Sequence, residues 1–308
     1  MTFQQLEYVV ALNKTRHFVN AAELCGVTQP TLSMMIQKLE DELDVKIFDR
    51  SKHPIDVTSI GKKIIEQSQA ALCQLNKINE LVSAEKGDLS GNLNIAIIPT
   101  VAPHLLPKFF SLFRNDYPEL SFKISEMRTD TIEKKLLLGE IDMAILSTPL
   151  SNPNILEIPL YYEKFLAYIS PDEEIYTENE LVSNHLPTEH LWVLEEGHCL
   201  RNQVFTFCGG NTKTSFSYEA GSIETLIKIV DENGGYTVIP ELHVEMLSEQ
   251  QKNNLRKLVS PEPIREISLV IQQNFIREGH LNAVAETIKK IIPQQMLDSR
   301  LKKFAIKI

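Results

Sequence analysis

Phe18-Val-Asn-Ala-Ala-Glu-Leu-Cys-Gly-Val-Thr-Gln-Pro-Thr-Leu-Ser-Met-Met-Ile-Gln-Lys-Leu-Glu-Asp-Glu-Leu43 contains two apolar helical faces separated by a turn. Phe18, Ala21, Ala22 and Leu24 form the first face, and Leu32, Ile36, Leu39 and Leu43 the second, both near the helical period. Gly26 suits the left-handed conformation that ends a helix. Thr28 suits the cap of the next helix, and Pro30 is tolerated in its first turn. Two helices joined by a turn of about four residues containing Gly form a helix-turn-helix. A third face, Leu6, Val9, Val10 and Leu12, precedes it. Beyond it, Val45-Lys-Ile-Phe-Asp and Ile55-Asp-Val-Thr are short strand-like runs around the basic turn Arg50-Ser51-Lys52-His53-Pro54, the pattern of a wing.

A helix is expected from about Ser59 to Ala84. Ile64, Ser68, Ala71, Leu75, Ile78 and Val82 form a heptad seam suited to pairing two subunits, or to packing on the helix's own domain. Gly87-Asp-Leu-Ser-Gly91 reads as a hinge. From Leu93 the pattern changes. Apolar runs at 93–98, 121–127, 142–147, 165–169, 191–194, 236–239 and 267–271 alternate with helical stretches, which implies an α/β region with a parallel sheet. The expected divisions are 1–58 as a winged helix-turn-helix, 59–87 as a linker and dimerisation helix, and 88–308 as a two-lobed α/β region. In the last, lobe I takes about 88–161 and 267–300 and lobe II about 162–266.

The chain has 308 residues, 43% hydrophobic and 23% charged, so it is globular rather than disordered or fibrous. No apolar run reaches a membrane span, and the first residues lack the blocks of a signal peptide, so a cytoplasmic location and no membrane partner are expected. Four cysteines are too few for a disulfide scaffold. The net charge is −10, which counts against nucleic acid, but residues 1–63 are neutral and the whole surplus lies after them. A neutral unit still binds DNA when its basic groups share one face.

The quoted stretch closely resembles the LysR-type transcriptional regulator family. The paired alanines, Gln29-Pro-Thr-Leu-Ser33 and Lys38-Leu-Glu-Asp-Glu-Leu43 carry the likeness, with Phe48-Asp-Arg50 and Thr58-Ser-Ile-Gly61 beyond it. The resemblance implies a winged helix-turn-helix, a linker helix and a periplasmic-binding-protein-like regulatory domain. It also implies double-stranded DNA and RNA polymerase as partners, and a homo-oligomer built as a dimer of dimers. It implies a regulator rather than an enzyme. Helix-turn-helix proteins present the N-terminal end of the recognition helix to base edges. Gln29, Pro30, Thr31 and Ser33 occupy that end, with Arg50 and Lys52 on the wing for the phosphate backbone or minor groove. Glu40, Asp41, Glu42 and Asp44 fall at the far end, away from DNA. Met34 and Met35 depart from the small or polar residues usual there, so the resemblance does not fix the operator.

A second segment is Gly197-His-Cys-Leu-Arg-Asn-Gln-Val-Phe-Thr-Phe-Cys208. A single Cys is ordinarily a small buried hydrophobe. Cys199 has His198 beside it and Arg201 two residues on, and a helix over 200–207 would put it at a positive end. Both favour the thiolate, and a second Cys nine positions later makes a redox-sensor pattern. Metal held by His198, Cys199 and Cys208 is the rival, although the spacing matches no usual zinc signature.

The segment resembles the sensing segment of peroxide-responsive members of the same family. Ile98-Pro-Thr-Val101, Leu105-Leu-Pro107, Leu156–Pro159, Ser222–Leu226 and Pro261-Glu-Pro263 add to the likeness. The resemblance implies hydrogen peroxide as the signal, Cys199 as the peroxidatic and Cys208 as the resolving cysteine, and no cofactor or metal. Thr100, Thr129, His198 and Arg201 match positions that bind or activate peroxide, and Arg265 matches an arginine near the second cysteine. Asn202 stands where an acidic residue is usual, and Ser217 where one pocket histidine stands. A regulator answering a small-molecule co-inducer in the interlobe cleft is the alternative. A thiol peroxidase is opposed by the DNA-binding segment.

If 199–208 is helical when reduced, its ends are too far apart for a disulfide and the helix must unwind. If it is a loop, the sulfurs can already be close.

Overall fold

The computed structural model describes residues 1–85, 89, 91–208 and 219–306, and the chain divides into two compact units. The first runs from Met1 to Gly87 and takes in 137–140. Its helices are α1 (Phe3–Thr15), α2 (Phe18–Leu24), α3 (Gln29–Leu43) and α4 (Ser59–Glu85), with the wing strands β1 (Phe48–Asp49) and β2 (Asp56–Val57) between the last two. Thr2 and Gln5 close a reciprocal capping box on α1. Gly26 turns the chain at φ +66°, as its place in the sequence requires. Thr28 holds the cap position of α3, but its hydroxyl makes no cap bond and pairs instead with the Thr31 hydroxyl at 2.8 Å. Val9, Leu12, Ala21, Leu32, Ile36, Leu39 and Ile47 close the core with no exposed surface. Each large aliphatic among them contributes about 1.5–3 kcal/mol of burial.

The expected seam on α4 splits. Ser68 is buried and donates back to the Ile64 carbonyl at 2.7 Å, and Ile65 joins the core of this unit. Ile78 and Val82, further along, are exposed. The near half of the helix therefore packs at home, and the far half keeps an open apolar edge.

The second unit spans 88–136 and 141–308. In chain order it contains β3 (Gly91–Ile97), α5 (Ala102–Asp116), β4 (Leu120–Glu126), α6 (Thr129–Leu137), β5 (Met143–Thr148) and β6 (Ile155–Ile169). There follow β7 (Glu180–Val182), β8 (Leu191–Leu194), α7 (Cys199–Cys208), β9 (Glu219–Ala220), α8 (Ile223–Asn233) and β10 (Tyr236–Pro240). The last elements are α9 (Glu249–Lys252), β11 (Leu255–Val259), β12 (Ile264–Gln272) and α10 (Glu278–Ile291). The strands run in the order β4-β3-β5-β12-β6-β10-β8-β9, with β11 joining β6 to β7.

The sheet is mixed, not parallel as expected. β3 lies parallel to β4 and β5, and β8 to β9 and β10, but β12 runs antiparallel to β5 and β6, as β6 does to β10 and β11. The antiparallel spine is made by β6 and β12, whose registers match from Ile155–Gln272 to Lys164–Ile264 with one irregularity at Ile267/Ser268. Glu157, Pro159 and Glu163 interrupt the apolar run of β6, and Arg265 and Glu266 that of β12, so only fragments of each read as strands. Within the second unit a lobe around β8, α7, α8 and β10, the far lobe, closes on Tyr168, Leu191, Leu194, Leu200, Val204, Cys208, Leu226 and Tyr236. Among the described residues no helix is long and apolar enough to cross a membrane.

Candidate functional site

On α3 the residues facing the core are Leu32, Ile36 and Leu39. Gln29 and Pro30 are exposed and Thr31 and Ser33 half-buried, so the opposite face of its first turns meets solvent. The wing cations are tied differently. Lys52 pairs with half-buried Asp56 at 2.8 Å. Arg50 donates to Glu40 Oε2 at 3.1 Å and lies over the Phe18 ring at 5.3 Å. Glu40 is 1% exposed, unlike Asp41, Glu42 and Asp44, and its Oε1 accepts the Ile47 and Phe48 N–H groups. The acidic run at the end of α3 is thus not one solvated cluster: Glu40 fastens the wing to the helix. Arg50→Ala is expected to lower both the melting temperature and DNA affinity, because it takes the nearer of two cations from a buried carboxylate and leaves only exposed Lys46 at 3.8 Å. Lys52→Ala should lower affinity alone. Thermal scans and salt-dependent DNA titrations check the pair.

In the second unit Cys199 opens α7 and is buried. Burial pushes its thiol up. Against that act the Arg265 guanidinium, the Thr129 hydroxyl and the Ser147 and Leu200 N–H groups, in that order. Thr129 opens α6, and its Oγ1 is buried with no oxygen or nitrogen partner among the described residues. Thr100 lies three residues past β3, as Thr129 does past β4, at the carboxyl ends of two parallel neighbours. Arg265 is wholly buried on β12. Its Nη1 donates to Thr100 Oγ1 at 2.9 Å and its Nη2 to the Thr100 carbonyl at 3.2 Å. It also pairs with buried Glu163, Nε to Oε2 at 2.9 Å. Arg265 was expected near the second cysteine. The structure ties it to Thr100, and its charge is the largest of the pulls that oppose burial at the first.

The expected cations next to Cys199 in sequence do not supply the charge. His198 is 4% exposed, with Nε2 3.7 Å from Glu195 Oε1. Burial holds its ring below the usual histidine range against the pull of Glu195, so at neutral pH it is mainly uncharged. The Arg201 guanidinium donates to the Leu194 carbonyl at 3.0 Å and stacks over Phe205 at 5.3 Å. Cys208 ends the same helix inside the far-lobe core, where burial pushes its thiol up to about 12. Nine rises of about 1.5 Å place the two cysteine Cα atoms roughly 13 Å apart. The segment is therefore helix, not loop, with the sulfurs apart. His198 and Cys199 at one end of α7 are likewise separated from Cys208 at the other. Among the described residues no group of three His, Cys, Asp or Glu is placed to hold a metal.

Residues 3–62 match the bacterial regulatory helix-turn-helix domain of the lysR family, and residues 86–291 match the LysR substrate binding domain. The chain belongs to the LysR family. It is 34% identical to the hydrogen peroxide-inducible genes activator of Haemophilus influenzae, over 95% of this chain and 99% of that one. Its fold is similar to that of a full-length OxyR variant from Pseudomonas aeruginosa, with TM-score 0.77, 32% identity, and 94% and 98% of the two chains covered. A mutant OxyR of Corynebacterium glutamicum with hydrogen peroxide bound gives TM-score 0.63 at 26% identity, covering 100% and 97%.

Two residues at this LysR-family site escaped the sequence reading. Gln203 is wholly buried on α7; its Nε2 donates to Ser147 Oγ at 2.8 Å and its Oε1 has no partner among the described residues. It sits four residues after Cys199, so both share one helix face, and that spacing was the signal available. Glu163, which fixes Arg265 from 102 residues away, had none. Asn202 is exposed on α7, and Ser217 lies outside the described residues.

Proposed function

We propose that this LysR-family chain is a cytoplasmic, peroxide-sensing regulator of transcription, not an enzyme. Residues 1–58 hold double-stranded DNA, 59–87 link subunits into a dimer of dimers that recruits RNA polymerase, and 88–308 sense the oxidant. The observation that carries this reading is α7 itself, with a buried thiol ringed by donors at one end and a second thiol at the other. The relatives named for peroxide-inducible genes and the OxyR solved with peroxide bound support it.

Peroxide needs partners that both donate and accept, and the hydroxyls of Thr100 and Thr129 do both. Gln203 Oε1 and Thr129 Oγ1, neither with an oxygen or nitrogen partner among the described residues, offer it further bonds. The Cys199 thiolate attacks the nearer peroxide oxygen, the O–O bond breaks, and the departing hydroxide takes a proton to leave as water. Cys199 becomes a sulfenic acid. The Cys208 thiolate then attacks that sulfur and displaces the hydroxyl as a second water. Two thiols and one peroxide yield one disulfide and two waters.

Resolution cannot occur with α7 intact. A disulfide needs Cα atoms within about 7 Å, and a thiol held near 12 is almost never thiolate at neutral pH. Unwinding α7 meets both conditions, since it shortens the gap and returns Cys208 to water. A refolded segment then repacks the far-lobe core. This is a local-refolding switch driven by a redox event.

Thr129→Val tests the pocket. Loss of the hydroxyl removes one pull on the Cys199 thiol, so its pKa rises further and less thiolate is present at neutral pH. Stopped-flow oxidation should be slower than wild type at pH 7, and the deficit should shrink as pH rises and both proteins ionise. Thr100→Val should also slow oxidation. Equal rates in wild type and both variants at every pH would remove these threonines from the site.

A further inference from the structure

The solvent face of α3 has one large apolar side chain at its centre. Met34 is 62% exposed, while Leu32, Ile36 and Leu39 on the far side have no exposure. At the helical period Met34 falls almost opposite those three, one turn beyond exposed Pro30 and one turn before exposed Lys38. Gln37 is exposed beside it, and Met35, its neighbour in sequence, packs against the core. Met34 therefore lies outside the core of the unit, on the face of α3 turned away from it.

A helix laid in the major groove presents this face to base edges. The apolar group there is the C5-methyl of thymine, which is read by apolar contact and not by hydrogen bonding. Methionine suits such a contact, since its unbranched thioether conforms to an irregular apolar surface. We propose that Met34 is a specificity-determining residue that packs on a thymine methyl, so that each half-site carries an A·T pair with its methyl at that step. This rests on the reading of α3 as the element that reads DNA. Gln29 and Ser33, nearer the helix start, read other base edges by hydrogen bonding, so methyl recognition and hydrogen-bond recognition are separable.

The test uses the full-length chain and the duplex it selects from a random-sequence pool. Each thymine is replaced in turn by deoxyuridine, which removes the methyl and nothing else. In the wild type, replacement at one position per half-site should weaken binding about fourfold, the worth of one buried methyl-sized group. Met34→Ala should bind the thymine duplex more weakly and show no loss on that replacement. Met34→Leu should keep the dependence. Gln29→Ala should change the preferred base elsewhere and leave the methyl effect intact. The position is exposed, so unchanged thermal unfolding of Met34→Ala is expected. The proposal is overturned if no deoxyuridine replacement weakens wild-type binding, or if Met34→Ala shows the same loss as wild type. A chain that selects no sequence at all would overturn the reading of α3 as well.

Discussion

Cys199→Ser is expected to abolish the response to peroxide, with no disulfide formed and no change in operator occupancy. The serine hydroxyl keeps the hydrogen bonds but is not ionised among these donors, and it lacks the nucleophilic sulfur. Cys208→Ser is expected to behave differently. Attack on peroxide precedes resolution, so this variant should accumulate a sulfenic acid at Cys199 that dimedone traps. Its α7 should also keep its amide protection after peroxide, whereas wild-type α7 should lose it as the segment unwinds. Hydrogen exchange followed by mass spectrometry reads both. Sulfenic acid trapped at Cys208 in the Cys199→Ser variant, or protected α7 amides in oxidised wild type, would reverse the assignment of roles or remove the refolding step.

Arg265→Leu is expected to cost about 3–5 kcal/mol of stability, the usual penalty for leaving one partner of a buried ion pair alone. Glu163 has no exposed surface, and apart from Arg265 the bond it accepts is from the Leu242 N–H. Thr100 would lose both its guanidinium donors at once. Pairing Arg265→Leu with Glu163→Leu should recover much of the loss, because no charge is then stranded. In the single variant the Cys199 thiol also loses the strongest of the pulls that oppose burial, so oxidation at neutral pH should be slower as well as the fold weaker. Urea unfolding of the single and double variants, with stopped-flow oxidation of each, measures both effects. A single variant as stable as wild type would remove the Arg265–Glu163 pair from the account of this core.

The sequence made legible whatever depends on local pattern. The period of Leu32, Ile36 and Leu39, the turn at Gly26 and the spacing of Cys199 and Cys208 each lie within one element or one turn, and each had a physical meaning before the structure was known. The two strands of the spine were hidden because charged residues serve inside them. Glu163 and Arg265 read as interruptions in β6 and β12 and prove to be a buried pair that anchors Thr100. The source of positive charge at Cys199 was misplaced for the same reason. Sequence neighbours His198 and Arg201 stood in for Arg265, which only the sheet brings near. Glu40 looked like one of a row of surface acids, yet burial separates it from Asp41, and that burial depends on β1 and on Arg50. The seam of α4 was legible as apolar but not as divided, since Ser68 turns inward to its own unit.

Peptide mapping by mass spectrometry, after about one equivalent of hydrogen peroxide is added to the reduced full-length chain, tests the central claim most directly. The account predicts one new species, a peptide pair linked through Cys199 and Cys208, with Cys25 and Cys73 still free thiols. Oxidation that falls first on Cys25 or Cys73, or a Cys199 left as free thiol, would contradict it.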